Sequence, residues 1–343
     1  MKNKIIITVL MSVYKEPIEW IRLSIDSILK QTFHDFEFII INDNPGRMEN
    51  TLLLNEYAAK DSRLVIITNE INIGLTKSLN KGLLLARGEY IARMDADDIS
   101  LPTRFEKQLN YLKNNPDVGA VGCNAYVINE KSEITSKMTR PSNKDYLRYL
   151  SIFESPIFHP SSFFRRFISN KAVKYDESVK YSQDYALWIS LLKICNIANL
   201  EEKLLYYRKA ETQISKAHYL EQQQFAFNNQ LNAVFNMGLM IRDEDIECFK
   251  YLTRPIVSNR TIDSKLLRTF IVRFLKENRV KLSDSFYIVR KRLILIYANV
   301  ITKKLPLTQS LFDLLKLQIL TKYFNCYSIL SLVNKYRIKR NLN

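Results

Sequence analysis

Asp95, Asp97 and Asp98 stand within four residues of one another in the stretch YIARMDADD, directly after an apolar run. Like charges that close repel, and each is costly to bury without a partner, so the cluster needs something positive beside it. Three readings compete. A solvated loop with a helix-capping Asp is the common fate of acidic residues before Leu-Pro. A calcium loop fails: with Asp95 as the first ligand, the fifth and sixth places hold Ile99 and Ser100, where an oxygen ligand and Gly are required. The third is Mg²⁺ or Mn²⁺, which takes one or two protein carboxylates and leaves its other positions to water and phosphate oxygens. D-x-D spacing alone is a weak pattern, so its setting matters.

The first hundred residues alternate strand and helix. Ile5 to Val13 is an apolar, β-branched run that reads as a buried strand, and Pro17 opens an amphipathic helix to Lys30. A second run, FEFIIIND (36–43), precedes an Asn-Pro-Gly turn and a helical stretch at 49–60. RLVIITN (63–69) reads as a third strand, and Leu75, Leu79 and Leu83 recur at helical spacing before Gly88. EYIARM (89–94) is the fourth strand. The pattern predicts an α/β architecture, a parallel sheet with helices on both faces. Ligands of such sheets bind beyond the carboxyl ends of the strands. There the chain delivers Tyr14, Asp43 and the Asp95–Asp98 cluster, from three separate segments.

Beyond residue 100 the pattern is mixed: a helix from Leu101 to Lys113, a strand from Val118 to Val127 and a helix from Tyr185 to Ile194. Helical patterning dominates from about 221, which sets an expected boundary near 220 between a domain at 1–220 and a helical region at 221–343. The four cysteines, Cys123, Cys195, Cys248 and Cys326, form no CxxC pair and suggest a reducing compartment. MKNKIIITVLMSVYK superficially resembles a signal peptide, yet Tyr-Lys-Glu-Pro follows at once and the run reads as a strand. No apolar run reaches the ~18 to 20 residues of a membrane span. Residues 251–343 hold 19 of the 51 Lys and Arg but 4 of the 35 Asp and Glu, so almost all of the net +16 belongs to the last quarter. Such a tail suits an anionic surface. LILIYANVI (293–301) and LFDLLKLQILTKYFNCYSILSLV (311–333), broken by Asp313, Lys316 and Lys322, suit a membrane interface better than a span, the plainer alternative being a helical appendage whose apolar faces pack together and whose lysines face water. Nucleic acid is disfavoured because no nucleic-acid motif accompanies the charge. The expected location is cytoplasmic.

Around the acids the chain resembles family 2 glycosyltransferases, inverting enzymes of the GT-A fold. The segments carrying the resemblance are ITVLMSVYKEP (7–17), FEFIIIND (36–43), NIGLTKSLNKGLLLARGEYIARMDADDISLPTRFEKQ (72–108), FHPSSFFRR and YDESVKYSQDYALWISLL (within 158–192), and YYRKAETQIS (206–215). The resemblance implies a GT-A, Rossmann-like nucleotide-binding domain followed by a mostly α-helical region. It implies that Val13 and Tyr14 wall the nucleotide base and that Asp43 meets the uracil ring. It further implies Asp95 near the ribose, Asp97 on the metal, Lys77 near the nucleotide and Asp184 as the catalytic base. Three motifs depart from the family pattern: Ser12-Val13-Tyr14-Lys15 stands for Pro-x-Tyr-Asn, Asn42-Asp43-Asn44-Pro45 for Asp-Asp-Gly-Ser, and Gln183-Asp184 for Glu-Asp.

Plainer roles stand beside these. Asp184 can cap the helix that follows, and Asp98 the next one. His159 can touch diphosphate or metal, or serve structure before Pro160. Arg165 and Arg166 can meet pyrophosphate or lie on the surface, and Arg208 and Ser215 can belong to a lid. The expected protein is a Mn²⁺- or Mg²⁺-dependent inverting glycosyltransferase taking UDP-hexose or UDP-N-acetylhexosamine. The resemblance and the basic tail together imply a peripheral enzyme at the inner face of the cell membrane, with a lipid-linked saccharide of bacterial O-antigen, capsule or exopolysaccharide as acceptor. A nucleotidyltransferase would need a Gly-rich loop near the N-terminus, and residues 1–45 contain no Gly. A P-loop NTPase is excluded for want of GxxxxGK[ST]. A non-catalytic scaffold with a degenerate domain would lack metal or base positions, and both are present.

Overall fold

The computed structural model describes residues 5–210, 218–258, 263–304 and 313. Contacts divide the chain into two units, Met1–Asn236 and Met237–Asn343. Ser215 and, Asp313 apart, the stretch 311–333 lie outside the described residues.

In the first unit, β1 (Ile7–Val13), α1 (Ile18–Leu29), β2 (Phe36–Asn42), α2 (Met48–Lys60), β3 (Leu64–Thr68), α3 (Leu75–Leu85) and β4 (Tyr90–Arg93) follow the expected alternation. Pairing of β1 with β2 and β4, and of β2 with β3, is parallel. Both β1 and β2 are buried at every position, because helices cover both faces of the sheet. Side chains alternate between the two cores. Val9 and Met11 join Ile21, Ile25 and Phe105 on one face, whereas Leu10, Ile39 and Ile41 join Leu79 and Trp188 on the other.

The rest of the unit turns this parallel half into a mixed sheet. It comprises β5 (Ile99–Ser100), α4 (Arg104–Asn114), β6 (Val118–Ile128), β7 (Ile134–Met138), α5 (Lys144–Leu150), β8 (Phe163–Arg165), β9 (Phe167–Ile168), β10 (Lys171–Ala172), α6 (Gln183–Leu191), β11 (Asn196–Arg208) and α7 (Tyr219–Asn236). Among the described residues the main sheet has nine strands, in the order β3-β2-β1-β4-β8-β6-β11-β5 with β7 on β6. β8 is antiparallel to both β4 and β6, so it joins the nucleotide-type half to the β6–β11 pair. Nothing in the periodicity marks β11, since Glu201, Glu202 and Lys203 interrupt it and its register with β6 shifts there.

One buried acid fixes the return from α3 to β4. Glu37 of β2 accepts from Thr8 Oγ1 at 2.7 Å, Arg87 N at 2.7 Å and Arg87 Nε at 2.6 Å. α7 holds the loop before α6 through Asn229 Nδ2, which donates to Ser182 O at 3.1 Å.

The second unit contains α8 (Asp243–Thr253), α9 (Ser264–Glu277), α10 (Arg279–Leu282) and α11 (Phe286–Lys304). Asp263 caps α9 by accepting from Leu266 N at 2.8 Å. Phe249, Phe270 and Phe274 form an aromatic run between α8 and α9, with centroids 6.3 and 5.8 Å apart. Among the described residues no helix is long and apolar enough to cross a membrane.

Candidate active site

The acidic turn follows β4 at the carboxyl edge of the parallel strands, where Met94 N still donates to Leu10 O at 3.1 Å. Ser24 Oγ of α1 donates to Asp95 O at 2.8 Å, and Asp98 N reaches the same carbonyl at 3.4 Å. Carboxylate oxygens of Asp95, Asp97 and Asp98 lie within 4.8 Å of one another. Asp98 is fully buried and caps no helix: Oδ1 accepts from Arg208 N at 2.7 Å. Its Oδ2 is buried without a hydrogen-bond partner among the described residues. Burial, then Asp97 and Asp95, pushes its carboxyl well above the usual range.

Arg208 lies beneath the turn. Its Nε donates to Asp97 O at 2.7 Å, while Nη1 donates to Asn129 O at 2.9 Å and to Ser132 Oγ at 3.0 Å. The guanidinium also stacks over Trp20 at 4.8 Å. The end of β11 thus secures the acidic turn through its backbone and leaves the carboxylates grouped. An orphaned buried oxygen in an all-oxygen cluster fits a hard divalent cation such as Mg²⁺ or Mn²⁺, with Asp95 and Asp97 as the more accessible ligands.

Asp184 sits in the first turn of α6, behind Ser182 in the left-handed conformation (φ 58°). Its carboxyl is raised to about 6, chiefly by burial and further by Asp95, against the N–H groups of Tyr185 and Asp184 and the charge of Arg93. Burial raises the Tyr207 hydroxyl first, and the charges of Asp98, Asp95, Asp97 and Asp184 add to it, so all four carboxylates lie within electrostatic reach of one residue. A group ionising near pH 6 beside a metal-type cluster has the properties of a general base.

The other expected positions lie at the neighbouring strand ends. Val13 is buried in the core, and its carbonyl accepts from Asp43 N at 2.9 Å. Tyr14 is partly buried, and its carbonyl accepts from Asn50 Nδ2 at 3.0 Å. Asp43 is 2% exposed and saturated by its own chain. Oδ1 accepts from Asn69 Nδ2 at 2.7 Å and Ile73 N at 2.9 Å; Oδ2 accepts from Asn72 Nδ2 at 3.0 Å and Gly74 N at 2.9 Å. It therefore clamps the 69–74 loop ahead of α3. Lys77 is exposed on α3, and one turn on Lys81 Nζ donates to Asn69 Oδ1 at 2.8 Å.

Arg165 donates to Val118 O and Leu112 O, and Arg166 to Ala86 O, so these arginines brace backbone. His159 Nε2 meets Tyr175 Oη at 2.8 Å; burial and the nearby Arg93 hold the imidazole well below its ordinary pKa, hence neutral. Asn80 fixes Tyr175 from α3 by pairing with both its N–H and its carbonyl, at 2.9 and 3.0 Å. Glu16 also belongs to the site's electrostatics: it accepts from Tyr14 N at 2.7 Å, and burial and Asp95 raise its carboxyl. Sequence reasoning passed over Arg93, Tyr175 and Glu16, and the one available signal was their position at or just beyond strand ends or before Asp184.

Comparison with known proteins identifies the frame. Residues 8–173 match the family described as Glycosyl transferase family 2. The O-antigen biosynthesis glycosyltransferase WbnJ of Escherichia coli is 37% identical over 220 residues, 63% of this chain and 85% of that protein. The chain belongs to glycosyltransferase family 2. Among solved structures, Staphylococcus aureus TarS 1-349 in complex with UDP-GlcNAc aligns with a TM-score of 0.56 at 15% identity, covering 85% of this chain and 86% of that one. The mannosyltransferase PcManGT from Pyrobaculum calidifontis, in complex with GDP-Man and Mn²⁺, aligns at 0.50 and 15% identity over 85% of each chain. These likenesses establish the fold: a Rossmann-like GT-A domain with a helical C-terminal region.

Proposed function

We propose that this family 2 glycosyltransferase moves a hexose or N-acetylhexosamine from a UDP-sugar to a hydroxyl of a lipid-linked saccharide, with inversion, in bacterial surface-polysaccharide synthesis. The observation that carries the reading is the convergence of Asp95, Asp97 and Asp98 with the raised-pKa Asp184 at one sheet edge. Asp184 accepts the proton of the acceptor hydroxyl as its oxygen attacks the anomeric carbon. The bond from that carbon to the diphosphate oxygen breaks, and its electron pair leaves with the nucleotide. A displacement of this kind places base and leaving group on opposite faces of the sugar, which suits a base from α6 and a cluster after β4. A divalent cation held by Asp97 and Asp95 supplies, when bound, Lewis-acid stabilisation of the diphosphate. Tyr14 borders the base, Val13 backs it from the core, and Asp43 shapes that pocket by fixing the 69–74 loop. O-antigen synthesis by the relative WbnJ and UDP-GlcNAc binding by TarS support the donor and product classes.

A lipid-linked acceptor of this kind would put the enzyme's work at the cytoplasmic face of the membrane. In the second unit, Val280 is 90% and Tyr287 63% exposed, with Lys276, Arg279, Lys281 and Lys291 exposed around them. Apolar tips ringed by cations suit an anionic bilayer. Co-sedimentation with phosphatidylglycerol vesicles but not phosphatidylcholine vesicles is expected, and equal binding to both would refute it.

Calorimetric titration with UDP, GDP and CMP, each with Mn²⁺ and with EDTA, tests the donor reading. Metal-dependent binding of UDP, lost in Asp97→Ala, is expected. Preference for GDP would change the donor, and no binding by the folded protein would overturn the assignment.

A further inference from the structure

Arg93 is the last residue of β4, two positions before Asp95, and its side chain is 1% exposed. Its backbone is engaged, N donating to Ser162 O at 2.9 Å and O accepting from Arg104 Nη1 at 3.2 Å. Of the guanidinium, Nη2 pairs with Asp95 Oδ1, whereas Nε and Nη1 are buried and bond to no described residue. The partner carboxylate is 30% exposed. The charge of Arg93 reaches Asp98, His159, Tyr175 and Asp184, so it sits at the centre of the site's electrostatics.

As a stabilising element this arrangement is poor. A buried cation with two unmade hydrogen bonds and one partly solvated partner gives little net stability, and an apolar side chain of similar length fills such a slot without that cost. What it does accomplish is directional. The guanidinium grips one oxygen of Asp95 from the buried side, which fixes the carboxylate's rotation and leaves Oδ2 for the donor.

We propose that Arg93 is a positioning residue for donor binding, acting through Asp95 by holding its carboxylate from within the sheet. The inference rests on the donor reading of the acidic turn and adds to it a buried cation that orients one of the acids. Two properties that usually travel together therefore separate: removing the cation impairs nucleotide binding while the fold keeps its stability.

The test uses the full chain carrying Arg93→Met and Arg93→Lys. Melting temperature is measured beside calorimetric UDP affinity in Mn²⁺ and donor KM and kcat with a lipid-linked acceptor. Arg93→Met is expected to melt no lower than the wild type while binding UDP at least about 10-fold more weakly, with donor KM rising more than kcat falls. Arg93→Lys, which keeps the charge but not the fork, should recover part of that loss. Unchanged UDP affinity in a folded Arg93→Met refutes the proposal. So does a large drop in melting temperature with wild-type affinity in the protein that remains folded. If Arg93→Met fails to fold, a well-folded Arg93→Lys with wild-type affinity refutes it equally. Failure of the wild type itself to bind UDP is a different result: it removes the donor reading, and this inference with it.

Discussion

Asp184→Asn separates catalysis from folding, because the same burial that raises its pKa makes the native protein carry a cost. The carboxyl moves from an ordinary 3.8 to about 6. The native state therefore favours the protonated form, and the ionised form costs stability as pH rises from about 4 through about 6, remaining constant above. Two units correspond to about 3 kcal/mol, and partial exposure of the side chain reduces this to about 1–2 kcal/mol. Asn keeps the shape and removes the charge, so at pH 7.5 the variant should unfold at equal or higher denaturant concentration than the wild type. At pH 4 the two should coincide. Activity runs the other way: loss of a positioned base costs about 10²- to 10⁴-fold, or about 3–5.5 kcal/mol of barrier. Initial rates of nucleoside diphosphate release between pH 4.5 and 8 supply the second readout. Wild-type kcat/KM should fall tenfold per pH unit below about pH 6, and that limb should vanish in the variant. An Asp184→Asn enzyme that keeps more than a tenth of wild-type kcat, or that keeps the limb, would sink the assignment of the base.

Two further outcomes test the frame that carries the site. Asp43→Asn replaces an all-acceptor carboxylate by an amide whose NH₂ faces two of the four donors around it, so it should lose about 2–4 kcal/mol in urea unfolding and weaken UDP binding as the 69–74 loop loosens; undiminished stability would contradict the clamp. At Gly88 an added Cβ meets Thr8 N at 2.4 Å and Ile7 C at 2.6 Å, and neither backbone atom can yield, so Gly88→Ala should cost more than about 2 kcal/mol by the same assay.

The parallel half of the sheet was legible because β1, β2 and β4 obey a simple physical rule. A strand covered on both faces is a continuous apolar run, and the polar residue that ends it marks the carboxyl edge. Tyr14, Asp43 and the acidic turn were placed by that rule alone. The joining half obeys no such rule. β5 has two residues and β8 three, too short for any period, and β11 carries Glu201, Glu202 and Lys203 in its length. Their pairing is decided by residues far away in sequence, as where Ala92 of β4 meets Phe163 of β8.

Charged residues set the deeper limit. A lone Arg or Glu in a sequence reads as surface, yet Arg93, Arg104, Arg208 and Glu37 are all nearly or fully buried. Each is legible only through its partners: Glu37 through Arg87 and Thr8, Arg104 through the carbonyls of Arg93 and Pro160, Arg208 through the backbone of the acidic turn. The acidic turn shows why the fold carries them. Three carboxylates this close need their backbone fixed before any cation arrives, or repulsion opens the turn. Arg208 fixes the backbone, and Arg93 orients the carboxylate of Asp95. Neither satisfies the orphaned oxygen of Asp98, so the turn stays assembled and still has an unmet demand for a positive ligand. Sequence reasoning identified the demand from the spacing of the acids; the arginine that secures the turn and the one that orients its first carboxylate could be found only in three dimensions.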